Sequence, residues 1–148
     1  MFVLKPRLRR ITYVTAFEVI AIALSTVLLT ILSGMPATDS LPIAIAVSAI
    51  AVIWNYVFNM MFELWERKAQ ILHRSLKVRL FHAGGFELGL FLFTVPLYMA
   101  WYRVGFVDAF LMEIAVLIFF LIYTFVFTYA FDMLFVLPQH QGERERLA

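Results

Sequence analysis

The chain has 148 residues, of which 64% are hydrophobic and 17% aromatic, and its formal net charge is +2. Soluble domains are usually about half apolar, so this composition excludes a water-soluble globular protein. The chain contains no cysteine, which excludes disulfides and thiolate metal sites.

Four apolar stretches follow one another at about 11–33, 41–63, 80–102 and 110–136. Each is long enough to cross the hydrocarbon layer of a membrane as a helix. Short turns join the first stretch to the second and the third to the fourth, whereas the charged segment 66–79 is expected to extend two helices around a short bend. The sequence therefore predicts an all-α integral membrane protein with two tandem hairpins, residues 1–70 and 71–148, the second with a short cytoplasmic tail.

The first stretch follows several basic residues, as the apolar core of a signal peptide would. It is too long for such a core and it contains Glu18, so we expect a membrane helix instead.

Basic residues are concentrated at the termini and in the central loop. Arg103 alone lies in a hairpin turn, while the other Lys and Arg residues are Lys5, Arg7, Arg9, Arg10, Arg67, Lys68, Arg74, Lys77, Arg79, Arg144 and Arg146. Because basic loops remain in the cytoplasm, both termini and the central loop are predicted to be cytoplasmic.

The two halves of the sequence align without a gap when one is shifted by 69 residues. The charged pairs that match at this offset are Arg10 with Arg79, Glu18 with Glu87, Asp39 with Asp108, and Glu63 with Asp132. Charges are rare in membrane spans, so this agreement indicates an internal duplication. Each copy crosses twice, which makes the repeats parallel and related by an axis along the membrane normal.

Glu18 lies eight residues beyond Arg10, about 12 Å along a helix. Glu87 lies at the same depth in the second hairpin. A carboxylate at this depth is expected to face the bundle interior, to find a partner or to take up a proton. The alternative is that both acids are neutral, hydrogen-bonded packing residues.

The second helix of each hairpin carries two adjacent lines of residues at four-residue spacing. The polar lines are Asn55, Asn59, Glu63 and Thr124, Thr128, Asp132; the aromatic lines are Trp54, Phe58, Phe62 and Tyr123, Phe127, Phe131. The polar lines are suited to a route for protons or a polar substrate. They are equally suited to hydrogen bonding between helices, with the aromatic rings packing against lipid or neighbouring helices.

Near the predicted cytoplasmic ends, Glu63 is expected to pair with Arg67 one turn later. Asp132 has no basic residue at that spacing. His82 occupies the position that matches Tyr13 in the other half. Both are expected to be interfacial anchors, and the alternative for His82 is a part in a proton relay.

Gly84, Gly85 and Gly89 form a small-residue patch containing one GxxxG spacing. This patch allows a helix to approach closely, within the bundle or across an oligomer interface. The sequence has no zinc-protease HExxH and no phosphate-binding GxxxxGK[ST] motif. We therefore expect neither a bound metal nor a cofactor, no nucleic-acid partner and no enzymatic activity.

Four motifs, one on each predicted helix, resemble those of the proteobacterial antimicrobial compound efflux (PACE) family. They are Arg10-x-x-Tyr13-x-x-x-Phe17-Glu18, Trp54-Asn55-x-x-Phe58-Asn59-x-x-Phe62-Glu63, Arg79-x-x-His82-Ala83-x-x-Phe86-Glu87 and Tyr123-Thr124-x-x-Phe127-Thr128-x-x-Phe131-Asp132. The resemblance implies a proton-coupled exporter in the bacterial inner membrane. Family members export cationic biocides such as chlorhexidine, acriflavine and benzalkonium, and some export short-chain diamines.

In that family the first-helix acid, here Glu18, is the residue most closely tied to proton coupling. Two positions depart from the family pattern, since Tyr13 stands where His is usual and Glu63 where Asp is usual. The first departure removes a titratable imidazole from one half.

These observations predict a carboxylate, Glu18, that binds either a proton or a cationic substrate. The candidate partners are the bilayer and a second copy of the chain. The expected substrate-binding residues are Glu18, Glu87, Asn55, Asn59, Trp54, Phe58, Thr124, Thr128 and Tyr123. The expected relay or gating residues are His82, Asp132, Glu63, Arg10 and Arg79. The alternatives are a passive channel and a membrane scaffold in which the acids serve packing.

Overall fold

The computed structural model describes residues 2–3 and 6–136, and the predicted tail with His140, Arg144 and Arg146 lies outside them, as does Lys5. Four helices make up nearly all of this part of the chain: α1 Pro6–Ser33, α2 Ala37–Lys68, α3 Leu76–Tyr102 and α4 Phe106–Leu134. All four are long and apolar enough to cross a membrane. The prediction of an all-α membrane protein with four spans is confirmed.

The helices extend beyond most of the predicted apolar stretches because their charged flanks continue the same backbone. α2 runs on to Lys68 and α3 begins at Leu76, where the Ser75 hydroxyl accepts a hydrogen bond from the Val78 amide. α4 is the exception and ends at Leu134, two residues before the predicted limit. There the chain forms a two-residue strand, β2 Phe135–Val136, that pairs in parallel with β1 Phe2–Val3.

The two hairpin turns consist of residues 34–36 and 103–105. Gly34 ends α1 in the left-handed region, with φ of 70°, and its amide bonds the Thr30 carbonyl. α2 and α4 begin earlier than predicted, and Asp39 and Asp108 lie in their first helical turns. Acidic residues there stabilise the helix, because they interact favourably with the positive end of its dipole.

Each helix packs against its neighbours in sequence, and α4 packs back against α1 to close the bundle. We call the end with the two hairpin turns the turn end, and the opposite end the terminal end.

The buried hydrophobic core occupies the half of the bundle nearest the turn end. It consists of Leu29, Ile43, Ala44, Val47, Val95, Tyr98, Tyr102, Ala109, Met112 and Val116. Two polar contacts join α2 to α3 near the turn end. The Trp101 indole donates to the Asp39 carbonyl at 2.9 Å, and the Tyr102 hydroxyl donates to Ser40 Oγ at 3.1 Å. These contacts close the turn end.

Aromatic side chains fill the helix contacts in the terminal half. Rings of α2 pack on α3, with Phe58 and Phe62 lying 5.1 and 4.6 Å from the His82 ring. Rings of α4 pack on α1, with Phe127 and Phe131 lying 5.3 and 5.0 Å from the Tyr13 ring. The predicted aromatic lines thus lie between helices.

The glycine patch of α3 is used inside the bundle. A Cβ atom on Gly89 would overlap the Trp54 indole, and one on Gly85 would lie 3.1 Å from the Phe58 ring. A Cβ atom on Gly84 would have no neighbouring atom within 4 Å. Of the two uses that the sequence left open, Gly85 and Gly89 therefore serve the first, a close approach of α2 to α3.

We expect Gly89→Ala to lower the free energy of unfolding by about 1–3 kcal/mol, because the added methyl group must displace a packed indole ring. Thermal unfolding in detergent measures this change. Gly84→Ala is the matched control, since it adds the same methyl group to the same helix in open space. Equal melting temperatures of the two variants would contradict the packing described here.

Candidate functional site

A cavity of about 1010 Å³ lies inside the bundle and is lined by residues of all four helices. Most of its wall is apolar, with aromatic rings from Phe17, Phe86 and Phe120 among the lining side chains. We call it the central cavity. Its volume is in the range of small-molecule binding sites.

Four acidic side chains line the central cavity: Glu18, Glu87, Glu113 and Asp132. No Lys, Arg or His is found among the described residues that line it. Because a low-dielectric wall strengthens the field of these carboxylates, the cavity favours cations over anions.

Glu18 is half-buried on α1, and its Oε2 accepts a hydrogen bond from the Ser48 hydroxyl of α2. This bond links the two helices of the first hairpin and satisfies one carboxylate oxygen. The acid therefore has a protein partner as well as a face toward the cavity.

Glu87 occupies the matching position on α3 but lacks that partner. Its Oε2 is buried and has no hydrogen bond to any residue that the structure describes. The cause is visible in the sequence, because the position that matches Ser48 in the second half is Leu117. The two acids thus share a frame but differ in their surroundings.

Glu113 is a third membrane-embedded acid, and the sequence analysis missed it. Its side chain is 4% exposed, and within the described part of the chain its Oε2 has no partner. The position that matches it in the first half is Ala44. Glu113 has no acidic counterpart in the first half, so the internal repeat does not point to it. A lone acid within an apolar stretch is nevertheless itself an indication of a functional residue.

Asp132 lies where the central cavity approaches the terminal end, and it pairs with Arg9 of α1 at 2.5 Å. The Arg9 guanidinium also donates to the Phe135 carbonyl at 3.1 Å and lies over the Phe131 ring. Asp132 thus has a basic partner on another helix, which its local sequence does not reveal. Glu63 pairs with Arg67 at 2.6 Å, as predicted, and both are exposed.

Two hydrogen bonds recur at equivalent positions and join the halves. The Tyr13 hydroxyl on α1 bonds Thr128 Oγ1 on α4 at 2.8 Å, and His82 Nε2 on α3 bonds Asn59 Oδ1 on α2 at 2.9 Å. Tyr13 and His82 are 69 residues apart, as are Asn59 and Thr128. A tyrosine hydroxyl thus makes in one half the contact that an imidazole makes in the other.

A second recurring pair lies immediately beside the two acids. The Trp54 indole donates to the Phe86 carbonyl at 2.9 Å, and the Tyr123 hydroxyl donates to the Phe17 carbonyl at 2.8 Å. Glu87 and Glu18 are the next residues along the chain. These bonds fix the backbone that carries each acid.

The expected site residues separate into two groups. Those that line the central cavity are Glu18, Glu87, Asn55, Thr124, Thr128 and Asp132; those that the structure places outside its lining are Trp54, Phe58, Asn59, Tyr123, Glu63, His82, Arg10 and Arg79. Arg10 and Arg79 are exposed. Most of the second group instead make the contacts between helices described above.

We expect Tyr13→Phe to lower the free energy of unfolding by about 0.6 kcal/mol, the mean value for an interhelical hydrogen bond in a membrane. The ring contacts of Tyr13 are kept, so thermal unfolding in detergent isolates the bond to Thr128. Tyr56→Phe is the control, because the Tyr56 side chain is 72% exposed. Equal destabilisation by both substitutions would contradict this role of Tyr13.

Comparison with protein families gives one match that covers nearly the whole chain. A family model described as "Chlorhexidine efflux transporter" matches residues 5–68 and, separately, residues 74–137. The two matches begin 69 residues apart, which is the offset of the recurring contacts.

Curated relatives give a related picture. A short-chain diamines transporter of Vibrio parahaemolyticus is 34% identical over 116 residues, covering 78% of this chain and 81% of the relative. Proteins with the same description from Acinetobacter baylyi and Acinetobacter baumannii are 37% identical over 89 residues and 32% identical over 124 residues. These alignments cover 60% and 84% of this chain, and 62% and 85% of the respective relatives. No solved structure matches the chain.

Proposed function

The chain belongs to the chlorhexidine efflux transporter (PACE) family, and from this premise we propose that it exports cationic compounds in exchange for protons. Family and relatives identify a multi-pass bacterial membrane transporter and not an enzyme. The finer assignments, namely the inner membrane, the cargo and the proton coupling, are our proposal.

The observation that carries the proposal is the acidic lining of the central cavity. Its one ion pair involves Asp132, whereas Glu18, Glu87 and Glu113 make no ion pair with any described residue. An unpaired carboxylate in a low-dielectric site is stabilised by a proton or by a cation from outside the protein. Such a cavity is suited to exchanging one for the other.

The proposed cargo is a short-chain diamine or a cationic biocide of the chlorhexidine or acriflavine kind. Relatives described as short-chain diamines transporters support the first, and the family description supports the second. Aromatic side chains of the lining can stabilise a delocalised or quaternary cation by about 0.5–2 kcal/mol each.

Proton coupling is proposed to arise at Glu18. A cation bound in the central cavity and a proton on Glu18 oppose each other, because a nearby positive charge favours the ionised form of a carboxyl group, so each ligand displaces the other. The bond from Ser48 orients the carboxyl group.

The proposed orientation places the terminal end in the cytoplasm, because nearly all basic residues that the structure describes lie near that end. The central cavity includes Thr128 and Asp132 close to the terminal end, whereas the turn end is packed. On this orientation the structure represents a state in which cargo enters from the cytoplasmic side.

We further propose that residues 1–70 and 71–148 are duplicated, parallel hairpins, which the two family matches at one offset support. Parallel repeats cannot alternate access by exchanging inverted halves. Rocking of one hairpin against the other, or of two protomers in a dimer, is the motion we propose.

Transport into proteoliposomes with an acidic lumen tests the coupling. As protons leave down their gradient, wild-type protein should accumulate a fluorescent cationic dye above its external concentration. Glu18→Gln should reduce uptake to the level of protein-free liposomes, because the amide cannot exchange a proton.

Asp108→Asn is the control, since Asp108 is exposed in the first turn of α4 and lies outside the lining of the central cavity, and it should retain uptake. Glu87→Gln reports whether both halves are needed for coupling. Equal uptake by wild type and Glu18→Gln would overturn the carboxylate model, and equilibration of the dye without accumulation would indicate a passive channel.

A further inference from the structure

Glu113 is the most buried of the acids that line the central cavity, and neither the family motifs nor the internal repeat accounts for it. Its Oε2 lacks a partner among the described residues, and so does the hydroxyl group of Tyr98, which is 0% exposed. Tyr98 and Thr94 of α3 face Glu113 closely enough to interact with its carboxyl group. Glu113 thus brings to the wall of the central cavity a buried carboxylate oxygen without a hydrogen-bond partner among the described residues, which indicates a ligand.

The level of Glu113 in the bundle follows from the recurring contacts. Ser48 contacts Glu18, so at the offset of 69 Leu117 lies level with Glu87. Glu113 is four residues from Leu117 toward the turn end, which is about 6 Å along α4. The backbone positions of Glu87 and Glu113 therefore lie at successive levels of one cavity, and the two acids are near enough to interact electrostatically.

We propose that Glu113 and Glu87 together bind the two ammonium groups of a short aliphatic diamine, one at each carboxylate. Two amines joined by four methylene groups, each hydrogen-bonded to one carboxylate at about 2.8 Å, can bridge carboxyl groups at these two levels. The inference rests on the proposed function, because it specifies how that cavity binds its cargo.

The surroundings of the three glutamates divide their roles. Glu18 already has a hydrogen bond from Ser48, whereas Glu87 and Glu113 each retain a buried oxygen without a partner in the described residues. The last two are therefore free to accept ammonium donors while Glu18 exchanges the proton. Leu90, Val116 and Phe120 line the cavity beside them and provide an apolar surface for the methylene chain.

This arrangement favours cargo with two positive charges over cargo with one. A monoamine neutralises one of the two carboxylates and leaves the other buried without a counter-ion, whereas a diamine neutralises both. The first half has no equivalent site, because Ala44 stands at the position that matches Glu113.

Isothermal titration calorimetry on the detergent-purified full chain tests this inference without requiring transport. Wild-type protein should bind 1,4-diaminobutane more tightly than butylamine. Glu113→Gln should lose at least about tenfold of that preference, because one charged partner is removed from a buried pair. Butylamine binding should change little, which also shows that the variant is folded.

Two variants act as controls. Asp108→Asn changes an exposed acid of the same helix outside the central cavity and should keep the preference. Glu113→Asp keeps the charge and should restore part of it. Equal affinity of wild type for the two amines, or an unchanged preference in Glu113→Gln, would overturn the inference.

The two proposals fail separately. A preference for the diamine that depends on Glu113, in a protein that accumulates no cation under a pH gradient, would support this site and contradict proton-coupled export. Coupled transport by a protein that binds the two amines equally well would support proton-coupled export and contradict this site.

Discussion

The cost of an unpaired carboxylate in a low-dielectric interior is the constraint on which this structure depends. Glu18, Glu87 and Glu113 lie within membrane-spanning helices and line one cavity without a basic side chain among its described residues. Hydrocarbon cannot solvate them, so each needs a proton, a hydrogen-bond donor or a cation. The packed core at the turn end keeps the cavity closed there, while the bonds from Trp54 and Tyr123 fix the backbone beside two of the acids.

The halves share contacts but differ where the chemistry lies. The bonds of Tyr13 and His82 recur at one offset, and so do those of Trp54 and Tyr123. Three differences concern the acids: Ser48 is matched by Leu117, Ala44 by Glu113, and Glu63 by Asp132. The shared contacts hold the helices, so the surroundings of each carboxylate were free to diverge. On our account, this divergence separates the proton site from the cargo site.

Hydropathy and charge were sufficient to predict the four spans, their turns and the local pair of Glu63 with Arg67. They were not sufficient for the pair of Asp132 with Arg9, because those residues are 123 positions apart and meet only when α4 packs against α1. The aromatic and polar lines are one residue apart, which is about 100° around a helix. Sequence alone cannot fix the rotation of a helix about its axis. In the structure Trp54 contacts α3, whereas Asn55 lines the cavity.

The central claim is that a cationic cargo and a proton compete for the buried carboxylates. Proton release on binding tests it most directly: purified protein in weakly buffered detergent is titrated with a diamine while the pH of the medium is followed. We predict that wild-type protein acidifies the medium in proportion to the cargo bound and that Glu18→Gln releases fewer protons for each cargo molecule bound. Binding by wild type without any release of protons would contradict the account.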